Sequence, residues 1–272
     1  MIPTVSGGTI SAAEVAQILR SSGLTIEQLL LALIPQAQKY AIPPISNFFV
    51  GAVALGATGS VYLGANFEFA GQALSFSVHG EQAATANAVA HGETGLQMLA
   101  VSAAPCGYCR QFLYELTTAS TLQVLVPNAP ATPLSALLPA AFGPADLGVT
   151  AALMSPQSHN LSSTSDDPVV QAALKAANAS YAPYTLGYAG VALETSDGGI
   201  YTGQVAENAA FNPSMSPLEQ AVVNLVIGGG KTYADIVDAV LVEAARSKAS
   251  QVDATTVVLA TITAVPLRIF QV

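Results

Sequence analysis

The only two cysteines of this 272-residue chain, Cys106 and Cys109, fall in one stretch, PCGYCRQF at 105–112. A C-x-x-C pair has three readings: a redox disulfide, part of a metal site, or two small core residues. His79 and Glu81, in HGEQ, decide among them, because neither a thiol–disulfide centre nor a packed core needs a carboxylate two positions after a histidine. Two thiolates and an imidazole are donors that zinc prefers, and three protein ligands leave the fourth position of a tetrahedral ion open for water. Glu81 is then a carboxylate close to the ion and not bound to it, as a proton carrier must be. The cysteines are expected at a strand-to-helix junction, where unpaired N–H groups and the helix dipole favour thiolate. Arg110 is expected to add positive charge beside them. The pattern predicts metal-assisted catalysis with His79, Cys106 and Cys109 as ligands of one zinc per chain. His91 and His159 lie near no second such motif and are expected as ordinary surface residues.

The elements around these residues follow from periodicity. FFVGAVAL (48–55) and SVYLGANFEF (60–69) read as strands joined by a glycine-containing turn. The alanine-rich stretch 79–92 reads as a helix, LQMLAVSAA (96–104) as a buried strand, and CGYCRQFLYEL as the next helix. Strand and helix in alternation predict a layered α/β domain. Before it, Ser11 with Glu14 and Thr25 with Gln28 have capping-box spacing, with Gly23 and Pro35 as the stops of two helices. This N-terminal segment is expected to be a packing appendage without chemistry.

The second half repeats the first. SYAPYTLGYAGVAL (180–193) echoes PISNFFVGAVAL, and IYTGQVAEN (200–208) echoes VYLGANFEF. PLEQAVVNLV (217–226) echoes HGEQAATANAV, and LATITAVPLRIF (259–270) echoes LAVSAAPCGYCRQF, with a helix expected over 232–246 as an insertion. In this alignment Pro217 faces His79, Glu219 faces Glu81, and nothing near Pro266 replaces the sulfurs. The expected organisation is an N-terminal helical segment (1–40), a catalytic domain (41–150), a linker (151–169) rich in Ser, Asn, Asp and Pro, and a degenerate, non-catalytic copy (170–272).

Composition narrows the ligand. With 17 acidic and 8 basic residues the formal charge is −9, and no basic run occurs. Such a chain repels polyanions, so a small neutral or cationic ligand is expected and a nucleic acid is not. Hydrophobic residues reach 51% and charged ones 9%, enough apolar surface for a large core and for burial between subunits. The run LLLALI (29–34) is too short to span a bilayer, and the first cation is Arg20, so neither a membrane segment nor a basic leader is expected. A cytoplasmic place is the default, where a C-x-x-C is more often metal-binding or catalytic than structural.

H-x-E followed by P-C-x-x-C matches the signature of zinc nucleobase deaminases. PPISNFFVGA, GANFEF, HGEQ, APCGYCRQF and LLPAAFGPADL (137–147) together resemble the cytidine deaminase family, in its two-domain, homodimeric type from enteric bacteria and plants. The resemblance is strong over 40–147 and weaker over 180–270. The degenerate second copy fits that type and not the short tetrameric one. Gly80 stands where the type often has alanine, which keeps a small residue. The resemblance implies a three-layer α/β/α fold with a mixed sheet, duplicated, and hydrolysis of cytidine and deoxycytidine to uridine and deoxyuridine in pyrimidine salvage. It implies that Glu81 takes a proton from water, delivers it to ring N3 and carries a second to the leaving ammonia. It further implies that Phe48 packs on the pyrimidine, that Asn66 and Glu68 bond the sugar hydroxyl, and that the Ala104 carbonyl accepts from the exocyclic amine. Phe142 would reach the site from the partner subunit of a homodimer. Other readings are a deaminase of another aminated heterocycle or of a polynucleotide, a thiol–disulfide oxidoreductase working through Cys106 and Cys109, and a zinc-stabilised binding module.

Overall fold

The computed structural model describes residues 3–272, which divide into two units. The first holds the residues up to Glu68 together with Ser77–Ser155, the second Phe69–Phe76 with Pro156–Val272.

The first unit runs β1 (Thr9–Ile10), α1 (Ala12–Ser22), α2 (Ile26–Ala37), β2 (Gly51–Gly56), β3 (Val61–Ala65), α3 (Gly80–Ala90), β4 (Leu96–Val101), α4 (Gly107–Leu113), β5 (Gln123–Leu125), β6 (Thr132–Pro133) and α5 (Leu134–Leu137). Its sheet has the order β1-β3-β2-β4-β5-β6. It is mixed: β2 runs antiparallel to β3 and β4, while β4 and β5 are parallel. The two predicted capping boxes form at Ser11 and Thr25, and Gly23 ends α1 in the left-handed region at φ 69°. Pro35 does not end α2, which continues to Ala37 and into a 3₁₀ turn at Gln38–Tyr40. The lost N–H falls in the last full turn, where few later bonds depend on it.

Alternation along the strands assigns the two faces. Val53, Leu55, Val61 and Leu63 point to one side and close a core with Leu29, Leu30, Leu33 and Ile34 of α2. Each such side chain contributes about 1.5–3 kcal/mol on full burial. The expectation of a mere appendage is therefore corrected: α2 is one layer of the unit, and Thr9–Ile10 extends its sheet. The opposite face carries α3, which lies almost in contact with the strand. A Cβ on Gly64 would stand 2.2 Å from Ala84 N and 2.4 Å from Gly80 O.

The second unit repeats the arrangement with α6 (Pro168–Asn178), β7 (Ala189–Thr195), β8 (Ile200–Gln204), α7 (Pro217–Val223), β9 (Ile236–Glu243), α8 (Val252–Ile262) and β10 (Leu267–Gln271). Its sheet order is β10-β9-β7-β8, with β9 and β10 parallel. The glycines duplicate as well. A Cβ on Gly203 would lie 2.1 Å from Pro217 O and 2.3 Å from Ala221 N, the relation of Gly64 to α3. Gly190 meets α6 (Ala173 O, 2.3 Å) as Gly51 meets α2 (Ile34 O, 2.6 Å). The fold is thus a duplicated three-layer α/β/α arrangement around mixed sheets.

Two details of the expected alignment change. The stretch 232–246 holds the strand β9, not an inserted helix: it pairs antiparallel with β7 as β4 pairs with β2, and its alternating IVDAVLVE pattern suits a sheet. It is therefore the counterpart of β4, and α8 stands where α4 does. The helix α7 is also displaced by one residue. Since Gly203 meets Pro217 and Ala221 as Gly64 meets Gly80 and Ala84, Ser216 occupies the place of His79 and Leu218 that of Glu81. Glu219 stands where Gln82 does, and both side chains accept from the N-cap amide. His159 is not an ordinary surface residue either. It stacks on Tyr188 at a centroid distance of 3.5 Å, with Nε2 2.7 Å from Ser180 O. His91 is exposed, with Nδ1 on Asn87 O.

Candidate active site

The three sulfur and nitrogen donors come from two helix starts. His79 is the N-cap of α3 and Cys106 the N-cap of α4, both extended in backbone; Cys109 sits in the first turn of α4. Gln82, three residues past His79, accepts from His79 N at 3.1 Å and fixes the direction in which the histidine leaves the helix. Nδ1 of His79 lies 3.2 Å from Cys109 Sγ and 3.5 Å from Cys106 Sγ, and the three donor atoms fall within 4.8 Å of one another. Tetrahedral zinc, with bonds of about 2.3 Å to sulfur and 2.0–2.1 Å to nitrogen, places such atoms about 3.6 Å apart. The donor set therefore fits zinc in chemistry and in spacing. Both cysteines are free thiols, each turned to the same histidine.

The electrostatics favour a thiolate at Cys106. The hydrogen bond from Cys109 holds the Cys106 thiol down to about 4, and the amides of Cys109 and Tyr108 add to that pull. The same bond, together with burial, pushes Cys109 up. Glu81, only 4% exposed, stands above the ordinary carboxylate range because burial penalises its charge. Its carboxyl hydrogen-bonds Cys109, so it lies beside the three donors without being one of them. Arg110, expected beside the sulfurs as a positive charge, turns its guanidinium to two carbonyls. Its Nε donates to Pro105 O at 2.8 Å and its Nη1 to Leu137 O at 2.9 Å, tying the cysteine loop to α5.

Phe48, Asn66, Glu68 and Ala104 flank the start of β2 and the ends of β3 and β4, which the antiparallel pairing places side by side. Asn66 follows β3 and is buried; its Oδ1 accepts from Val50 N and its Nδ2 donates to Phe48 O, both at 2.9 Å. It therefore holds the segment that displays Phe48, whose ring is 59% exposed. Glu68 accepts from Ile45 N and Ser46 N at 2.9 Å and from the Ser46 hydroxyl. Ala104 is exposed between β4 and Cys106, and Phe142 is exposed in the segment after α5.

Three positioning residues escaped the sequence reading. Ser46 orients Glu68 and also accepts from Phe48 N at 3.0 Å. Ser102 accepts from Gly51 N at 3.2 Å and anchors the start of the Ala103–Pro105 turn. Gln82 had a visible signal, its capping-box spacing from His79; serines in loops carry none.

The comparisons with known proteins agree with this geometry. Two family models, each described as the cytidine and deoxycytidylate deaminase zinc-binding region, match residues 24–125 and 134–256. A cytidine deaminase of Aeromonas hydrophila is 52% identical over 88% of this chain and 82% of its own length. One of Shewanella sediminis is 45% identical over 98% of this chain and 90% of its own. A solved cytidine deaminase of Mycobacterium tuberculosis, 32% identical, covers 44% of this chain and 99% of its own, with a TM-score of 0.41. The two family models and the Aeromonas and Shewanella relatives, matched over most of their length, on a chain whose donor triad fits zinc, leave one conclusion: it belongs to the cytidine deaminase family, in a two-domain form.

Proposed function

We propose that the chain hydrolyses cytidine and deoxycytidine to uridine and deoxyuridine with release of ammonia, a step of pyrimidine salvage. The observation that carries this is the meeting of three zinc donors with one buried, unligated carboxyl, Glu81. His79, Cys106 and Cys109 would hold the ion. When bound, zinc lowers the pKa of a coordinated water from about 15.7 to about 7. The chain's own residues then divide the rest of the work. Glu81 takes the proton from the attacking water and gives it to ring N3, which makes C4 electrophilic. It then passes the second water proton to the departing amine, so that C4–N breaks, C4=O forms and NH3 leaves. Burial raises its proton affinity above that of an exposed carboxylate, which favours its taking a proton from water.

Phe48 packs on the pyrimidine, the Ala104 carbonyl accepts from the exocyclic amine, and Asn66 and Glu68 face the sugar hydroxyls. The ring of Phe142 completes the site of a partner subunit in a homodimer. Exposed Ile45, Phe48, Phe49, Phe142 and Leu147 supply apolar surface for that contact. The charge of −9 favours a nucleoside over a polynucleotide. Among the described residues no single helix is long and apolar enough to cross a membrane, and we place the enzyme in the cytoplasm. A thiol–disulfide role would leave Glu81 and His79 without a task.

Metal content and cytidine-to-uridine conversion measured on one preparation test the reading. One zinc per chain with uridine formed is expected; a zinc-free chain that still deaminates cytidine, or a zinc-loaded one that does not, refutes it.

A further inference from the structure

The second unit carries a half-open cavity of about 420 Å³. Its walls include Phe76, Thr185, Glu207, Phe211, Met215 and Glu219, and no Lys, Arg or His lines it. The turn beside it is a copy of the one that holds Glu68. Glu207 accepts from Tyr184 N at 2.8 Å, from Thr185 N at 3.2 Å and from the Thr185 hydroxyl, as Glu68 accepts from Ile45, Ser46 and the Ser46 hydroxyl. The residues before the turns' ends, Asn47 and Leu186, share a left-handed backbone at φ 52° and 59°. A leucine held at positive φ is costly. Its retention shows that this turn is still fixed by its surroundings in the copy.

The groups for chemistry are gone. Ser216 and Leu218 stand for His79 and Glu81, and the loop from Ala244 to Gln251 after β9 has neither cysteine nor histidine. What remains is a carboxylate on a rigid turn, apolar walls from Phe76, Phe211 and Met215, and a second carboxyl, Glu219, 7% exposed and hydrogen-bonded to Ser216.

We propose that this cavity binds an uncharged nucleoside and holds it without turnover. The proposal rests on the nucleoside reading of the first site, since it takes Glu207 as the copy of a sugar-facing carboxylate. A nucleoside supplies the matching chemistry: hydroxyls that donate to Glu207 and a flat base for the aromatic and methionine walls. Burial pushes Glu219 up to about 8, so at neutral pH it carries a proton to donate to a base carbonyl. A wall with two acidic side chains and no cation disfavours nucleotides, whose phosphate would remain unpaired.

Equilibrium dialysis of labelled uridine against the zinc-loaded full chain counts the sites, because uridine is the product and does not react. Two uridines per chain are expected for the wild type. One is expected for Glu207→Gln, with second-site affinity down at least tenfold. One is also expected for Ala254→Phe, which fills the cavity from α8 and removes no hydrogen bond. Uridine 5′-monophosphate should leave the second site empty. A single uridine per wild-type chain overturns the proposal, and so do two uridines retained by both variants. The first-site reading is separated by the deamination assay. A chain that deaminates and binds one uridine refutes this proposal alone; one that binds two and does not deaminate refutes the other.

Discussion

A methyl group added at Gly64 should damage the active site from behind, and the same change at Gly203 should not. The Cβ of Gly64→Ala would stand 2.2 Å from Ala84 N and 2.4 Å from Gly80 O, backbone atoms that no side-chain rotation can move aside. Helix α3 must therefore retreat from β3 by about 1 Å, at an overpacking cost of about 1–3 kcal/mol. His79 caps that helix and Glu81 lies in its first turn, so both withdraw from Cys106 and Cys109, which are carried by a different helix. A displacement of about 1 Å in a catalytic group costs on the order of 100-fold in rate. Gly203→Ala meets the same obstruction, 2.1 Å from Pro217 O and 2.3 Å from Ala221 N, but the helix it moves carries Ser216 and Leu218. Both variants should melt earlier, by about 2–4 °C per kcal/mol lost. Zinc content, zinc affinity and kcat/KM should separate them. Gly64→Ala is expected to bind zinc more weakly and lose about 100-fold in kcat/KM. Gly203→Ala, once folded and zinc-loaded, should stay within about threefold of wild type in kcat/KM, since neither the zinc donors nor Glu81 moves. A Gly64→Ala enzyme with wild-type zinc affinity and turnover would refute the claim that the helix-to-strand distance sets the site.

Glu81→Gln should keep its zinc and lose about 10²–10⁴-fold in kcat, because the amide preserves shape and cannot carry a proton; equal turnover in a stopped assay would remove Glu81 from the mechanism. Asn66→Ala strips hydrogen bonds from Val50 N and Phe48 O, so it should cost about 1–3 kcal/mol of stability and raise KM more than it lowers kcat. Glu219 binds its proton more tightly folded, at about 8, than at the ordinary 4.5. Its contribution to stability is therefore full below the unfolded value and is lost as pH rises through about 8. Thermal melts between those limits should show the wild type falling with pH and Glu219→Gln falling less; parallel curves would refute the assignment.

The donor triad was legible because its chemistry is encoded in residue type and local spacing: a C-x-x-C turn and an H-x-E turn each need only one helix start to present their side chains. The capping boxes, the strands of the first unit and the buried helix α3 were legible for the same reason. What stayed hidden depends on distance. Nothing local in IVDAVLVE tells a reader that it lies beside β7, and its apolar run suits a helix or a strand until pairing decides. The displaced register of α7 was hidden by identity itself. PLEQ matches GEQ letter for letter at two positions, yet the glycine under the helix shows that Ser216 takes the place of His79. That difference changes what Glu219 means. Aligned by letters, it is a relic of Glu81 that has lost its metal; placed by the strand beneath it, it is the counterpart of Gln82, a capping residue that has become a carboxyl. Burying an acid is unfavourable unless its surroundings or a ligand compensate. Ser216 donates to Glu219 within its own helix start, so a ligand in the adjoining cavity would supply the compensation that the fold supplies only in part.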